Sequence, residues 1–150
     1  MVNVALAVME KFAEILREEY KALRFPSFPI ENVDQFPDLT DEGTHFLGRI
    51  GKALLYRLKR EEPKTNGAIK NILTIEARLY DLSAQEKQFK ITELVAALKS
   101  ALIYGGGYVP EYWPNLDIVR VDYEETVFLA DRRENLRTAL AEIKIYYSGC

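Results

Sequence analysis

Apolar and polar residues alternate most regularly in the last third of the chain. Between Asp117 and Tyr147, Val119, Val121, Tyr123, Val127 and Leu129 alternate with Arg120, Asp122, Glu124 and Phe128, and Glu125 interrupts the apolar face. Ala139, Ala141, Ile143, Ile145 and Tyr147 alternate with Thr138, Leu140, Glu142, Lys144 and Tyr146. A period of two predicts half-buried strands. The stretch Asp131-Arg132-Arg133-Glu134-Asn135 has no apolar residue and predicts the turn between them.

The first stretch has a different period. Val4, Val8, Phe12, Ile15, Leu16, Tyr20 and Leu23 recur at helical spacing after a capping Asn3, which predicts a helix over 4–23. Its other face carries Glu10, Lys11, Glu14, Arg17, Glu18 and Lys21, a mixed set that favours core or subunit packing over a membrane surface. Pro26, Pro29 and Pro37 then break any helix. We read 25–45 as a long ordered loop whose Phe25, Phe28, Ile30, Val33 and Phe36 pack on the domain or on a neighbouring subunit.

Residues 46–62 fit two patterns. Phe46, Ile50, Leu54 and Leu58 suit a helix, whereas Leu54, Tyr56 and Leu58 alternating with Leu55, Arg57 and Lys59 suit a strand. Gly48 and Gly51 weigh against the helix. The turn sequence Pro63-Lys64-Thr65-Asn66-Gly67 decides for a hairpin of 53–61 with 69–82, because Leu73, Ile75, Ala77 and Leu79 alternate beyond it. A second helix is predicted from Thr92 to Tyr104, ended by Gly105-Gly106-Gly107. An aromatic loop with Tyr108, Tyr112 and Trp113 follows. The expected fold is α+β: a four-stranded antiparallel sheet of two long hairpins packed with two helices, in the order α-β-β-α-β-β.

Composition adds limits. A chain of 150 residues that is 48% hydrophobic suits one globular domain, residues 1–150. A formal net charge of -3 argues against a dedicated nucleic-acid binder. The one cysteine, Cys150, cannot form an internal disulfide, and no apolar run approaches the roughly 20 residues that span a bilayer. Nor does the N-terminus resemble an export signal. A soluble, unexported protein without membrane contact is expected.

The chemistry-bearing residues form no motif. His45, the single histidine, stands in a loop with no Cys-x-x-Cys or His-Glu-x-x-His spacing around it. Gly105-Gly106-Gly107 follows a helix and precedes Tyr108, unlike a phosphate loop. Asp122 and Glu124 share a strand face in this reading, Glu125 opposes them, and no further ligand converges. We therefore expect no catalytic, cofactor-binding or metal-binding residue, no cofactor and no enzyme activity. One feature is not random. Lys52–Lys70 holds six basic and two acidic residues, net +4, while Asp117–Glu125 holds four acidic and one basic, net -3. Arg57, Lys59, Arg60, Lys64 and Asn66 on one side, and Asp122, Glu124 and Glu125 on the other, are the candidate interface residues.

The strand Leu73-Thr74-Ile75-Glu76-Ala77-Arg78-Leu79-Tyr80, the helix 93–102, the Gly/Tyr loop and the two strands ending Glu142-Ile143-Lys144-Ile145-Tyr146-Tyr147 follow an order that resembles the tail-terminator proteins of long-tailed bacteriophages. The resemblance covers about residues 53–147 and is one of pattern, since that family has no invariant catalytic motif. It implies a structural virion protein that forms a hexameric ring, caps the tail tube and joins it to the neck. The implied partners are further copies of the chain, the tail tube protein and a neck or connector protein, with the tail sheath as a further candidate. DNA contact follows only if the ring lumen faces DNA. The implied location is the virion tail or neck, after assembly in the host cytoplasm. The 25–45 segment is longer than the family suggests, so a phage neck, head–tail joining or head-completion protein stands as the alternative. A small non-enzymatic binding or regulatory α+β domain is the second.

The polar 63–67 turn predicts a tip that serves assembly rather than folding. Shortening it to a minimal Asn-Gly turn should leave the melting temperature nearly unchanged and lower the yield of assembled particles. Collapse of the monomer on shortening would show that the tip is packed.

Overall fold

The computed structural model describes residues 4–22, 30–36, 52–63, 71–81, 90–104, 118–131 and 136–148. The fold is α+β. Helix α1 spans Val4–Ala22, strand β1 Ile30–Asn32, β2 Lys52–Pro63, β3 Asn71–Asp81, helix α2 Lys90–Lys99, β4 Ile118–Asp131 and β5 Leu136–Tyr147. A π-helical turn, Ser100–Tyr104, continues α2. The strands form one sheet in the order β1-β2-β3-β5-β4. Residues 53–61 are therefore strand, not helix. The 63–67 turn beyond Pro63, the glycine run, His45 and Cys150 lie outside the described residues.

The four-stranded antiparallel sheet of the sequence reading is corrected to a five-stranded mixed one. The added strand, β1, lies in the proline-rich segment and pairs parallel to β2, Ile30 beside Leu54 and Asn32 beside Tyr56. It is only three residues long, too short for alternation to reveal. Contacts elsewhere hold it in place. The Arg17 guanidinium of α1 donates to the Ile30 carbonyl at 2.9 Å, and the Val33 N–H donates to the Tyr56 carbonyl at 2.8 Å.

Both helices cover the same face of the sheet. Val8, Phe12, Leu16 and Tyr20 from α1 and Leu94, Leu98 and Leu102 from α2 and its π turn are buried against Leu54, Leu73, Ile75, Leu79, Ile143 and Ile145. Period 3.6 on the helices and period 2 on the strands meet in one layer. Phe12 meets Tyr56 edge to face, with centroids 5.2 Å apart. Two polar contacts join the helices. The buried Tyr20 hydroxyl donates to the Leu94 carbonyl at 2.6 Å, and the Ser100 hydroxyl donates to the Glu19 carboxylate at 2.8 Å. Burial pushes the Tyr20 phenol well above its ordinary value, so it stays a neutral donor.

Strand β4 departs from the period-two reading at two bulges, one between Ile118 and Arg120 and one between Tyr123 and Glu125. Each inserts a residue and shifts the alternation. Ile118 and Val121 are buried, whereas Val119, expected on the inner face, is exposed. Beyond the second bulge Val127 lies opposite Leu140 and Leu129 opposite Thr138, on the face away from the helices, and Phe128 lies opposite the inward-facing Ala139. The single apolar face expected for β4 is thus split between two faces. The Tyr123 and Thr126 hydroxyls hydrogen-bond to each other across the second bulge.

Replacing Tyr20 with Phe removes the buried hydrogen bond to the Leu94 carbonyl without opening a cavity. Tyr20→Phe should destabilise the fold by about 1 kcal/mol in denaturant titration, while the exposed Leu6→Ala stays within about 0.5 kcal/mol of the parent. Equal effects would contradict the inter-helix tether.

Candidate functional site

The face of the sheet away from the helices has almost no secondary structure over it among the described residues. Val33 and Phe36 cover Ala53, Leu55 and Tyr80 at one end. From there outward the surface is built of long charged side chains. The Arg57 guanidinium donates to Glu76 at 3.0 Å, and Arg78 donates to the other oxygen of Glu76 at 3.3 Å. Phe36 lies under both cations, its ring centre 3.8 Å from the Arg78 guanidinium carbon and 5.1 Å from that of Arg57. Lys59 reaches across β3 to Glu142 at 3.3 Å. Lys144 lies 3.8 Å from Glu124, and Arg120 pairs with Asp122 at 3.2 Å while stacking on Tyr146. Thr74, on the same face at the centre of the sheet, is fully buried.

These pairs differ in weight. Exposed pairs such as Arg60 with Glu62 contribute about 0 to 1 kcal/mol and weaken with salt. Glu76 is different because it is the most enclosed carboxylate of the set and receives two guanidinium groups. Burial works to raise its pKa, and the hydrogen bonds and charges of Arg57 and Arg78 outweigh that, holding it below the ordinary 4.5.

The structure separates the two predicted charge sets. Arg57, Lys59 and Arg60 stand on β2, and Asp122, Glu124 and Glu125 on β4, with β3 and β5 between them. Lys64 and Asn66 lie outside the described residues. The expectation that Glu125 opposes Asp122 is corrected. The bulge after Tyr123 sets Asp122 opposite Lys144 and Glu125 opposite Glu142, so both face away from the helices. Glu125 has no ion-pair partner among the described residues, and two carboxylates directly opposite repel.

The registers also show a relation that composition could not. Arg57 lies in one row across the sheet with Glu76, Glu142 and Glu125; Arg60 with Thr74, Lys144 and Asp122; Glu62 with Ile72, Tyr146 and Arg120. The basic and acidic sets therefore occupy the two margins of the sheet at the same height. A further feature, missed in the sequence, is an apolar cluster on the far half of β4. Val127, Phe128 and Leu129 are 41%, 51% and 52% exposed. Their successive positions put apolar groups on both faces of a margin strand. The doubled polar pair Glu124-Glu125 was the clue, since it breaks alternation where the bulge sits.

Among the described residues, no group of three or more His, Cys, Asp or Glu could hold a metal ion, and no helix is long and apolar enough to cross a membrane. Compared with models of known protein families and with curated proteins, the chain matches none.

The Glu76 cluster has a pH signature. A carboxylate with a lowered folded pKa contributes stability that is full above its unfolded value and is lost as pH falls through the folded one. The melting temperature should therefore drop below pH 4.5. Glu76→Gln should cost about 1–3 kcal/mol at neutral pH, by leaving two cations short of an acceptor, and should flatten that acid limb. An acid limb unchanged in the variant would assign it to other carboxylates.

Proposed function

We propose that the chain is a structural, non-enzymatic virion protein of the phage tail-terminator type. In this reading copies form a closed ring that caps the tail tube and presents a surface to the neck. The observation that carries the assembly role is the Val127–Phe128–Leu129 cluster on margin strand β4, where a monomer exposes three large apolar side chains in a row. Such a strand is an adhesive edge unless another surface covers it. The α+β sheet with helices on one face supports the tail-terminator form of the reading, because among the described residues it leaves the other face and the β4 margin for neighbours. The partners are then further copies of the chain, the tail tube protein and a neck or connector protein.

The test is imaging and mass measurement of the chain mixed with tail tubes of its own virion. The expected result is six copies at one tube end, with binding lost in Val127→Asp/Leu129→Asp while the melting temperature stays within a few degrees of the parent. Uniform decoration of the tube, or no binding, rejects the terminator reading. Binding to an isolated connector instead would move the chain to the neck.

A further inference from the structure

We propose that the free chain covers its β4 margin with a second copy, the two β4 strands pairing antiparallel about a twofold axis at Phe128. This goes beyond the proposed function. It concerns the chain before it meets a tube, and it gives the apolar cluster an occupant in that state.

Strand β4 is outermost in the sheet along its whole length, so its far edge has no strand partner among the described residues. Its second half is open on both faces. Val127 and Leu129 are exposed on the face away from the helices, and Phe128 is exposed on the helix side, opposite the inward-facing Ala139. The contact of α2 with this strand through Lys99 and Tyr123 is made on the other side of the second bulge.

A twofold contact requires a strand to suit its own reverse. An axis at Phe128 sets Val127 beside the partner's Leu129 on one face and Phe128 beside the partner's Phe128 on the other. Each of the three exposed apolar residues then meets an apolar one. An axis at Val127 instead sets Leu129 beside the partner's Glu125, and an axis at Leu129 sets Val127 beside the partner's Asp131. The pattern therefore favours one centre. An axis normal to the sheet keeps the helices of both copies on one side and carries the two Tyr123 positions to opposite ends of the junction.

Charge fits beyond the apolar centre. The acidic stretch Asp122–Glu125 of each copy runs toward the end of the partner's strand, which the sequence continues after Asp131 with Arg132-Arg133. One like-charge row, Glu125 with the partner's Asp131, opposes the contact, so its apolar centre holds it. A single strand edge is less than the ~1,600 Å² of a standard stable interface. The dimer is accordingly reversible. It also closes β4 to any other neighbour, so dimer and ring exclude each other and assembly has to open the dimer first.

The experiment uses the full chain with Cys150→Ser and either Phe128→Cys or Glu124→Cys. At the axis the two Phe128 Cα atoms lie roughly 5 Å apart, within reach of a disulfide, whereas the two Glu124 positions lie roughly 26 Å apart. Mild oxidation should convert the Phe128→Cys chain to a covalent dimer and leave the Glu124→Cys chain monomeric. Equal cross-linking of both would overturn the proposed register. In parallel, sedimentation of the unaltered chain without tubes should show monomer and dimer and no larger species. Val127→Asp should raise the dimer dissociation constant at least about tenfold, with the melting temperature within a few degrees of the parent. This comparison decides the matter if the cysteine variant fails to fold. A chain that stays monomeric at roughly 0.1 mM, or a dimer indifferent to Val127→Asp, would overturn the inference. Rings at tube ends from a chain with no free dimer would overturn it and keep the proposed function. A free dimer of this kind that binds no tube would support it and reject the terminator reading.

Discussion

Among the described residues, two helices cover one face of the five-stranded sheet and leave the other without a helix. The rest of the described structure responds to that asymmetry. Leu73, Ile75, Ala77 and Leu79 of the central β3 bury their side chains under α1 and α2, while Thr74, Glu76, Arg78 and Tyr80 of the same strand face outward and must also be enclosed. Among the described residues, Val33 and Phe36 pack on that second face. The rest of that face, among the described residues, carries charged side chains, most of them in ion pairs. That solution is cheap in hydrophobic residues and weak in energy, since exposed ion pairs contribute little. The apolar layer under the helices supplies the stability, and the charged layer leaves a surface that can exchange partners.

The same division decided how much of the fold was legible in the sequence. Helix α1 and strands β3 and β5 keep an unbroken period because one continuous buried layer lies against them, and their apolar positions match the buried ones. Strand β4 was legible as a strand but not by face. Its two bulges move Val119, Val127 and Leu129 off the inner side, and a simple alternation cannot carry a residue that belongs to neither phase. Strand β1 was not legible at all. It owes its pairing to Arg17 and to the main chain of β2, contacts made across long sequence separations.

The candidate site was legible as composition and hidden as geometry. The residue types that form the basic and acidic sets stand out as runs of charge. Their placement at equal height on opposite margins depends on three successive strand registers. So does the internal pairing of Lys59 with Glu142, which joins residues on strands two places apart in the sheet. No local pattern encodes such a relation.

The shortness of β1 has a consequence for the shape of any assembly built through the sheet margins. Subunits added along a sheet can climb by a fixed rise at each step, which winds a helical fibre, or stay level, which allows a closed circle. Because β1 fills the margin beside Leu54–Tyr56, any strand that pairs with β2 beyond Tyr56 must end or bend away there. A level junction with a strand as long as β4 is blocked, since Thr126–Phe128 would fall on β1. The three-residue strand thereby limits the length of whatever can join this margin.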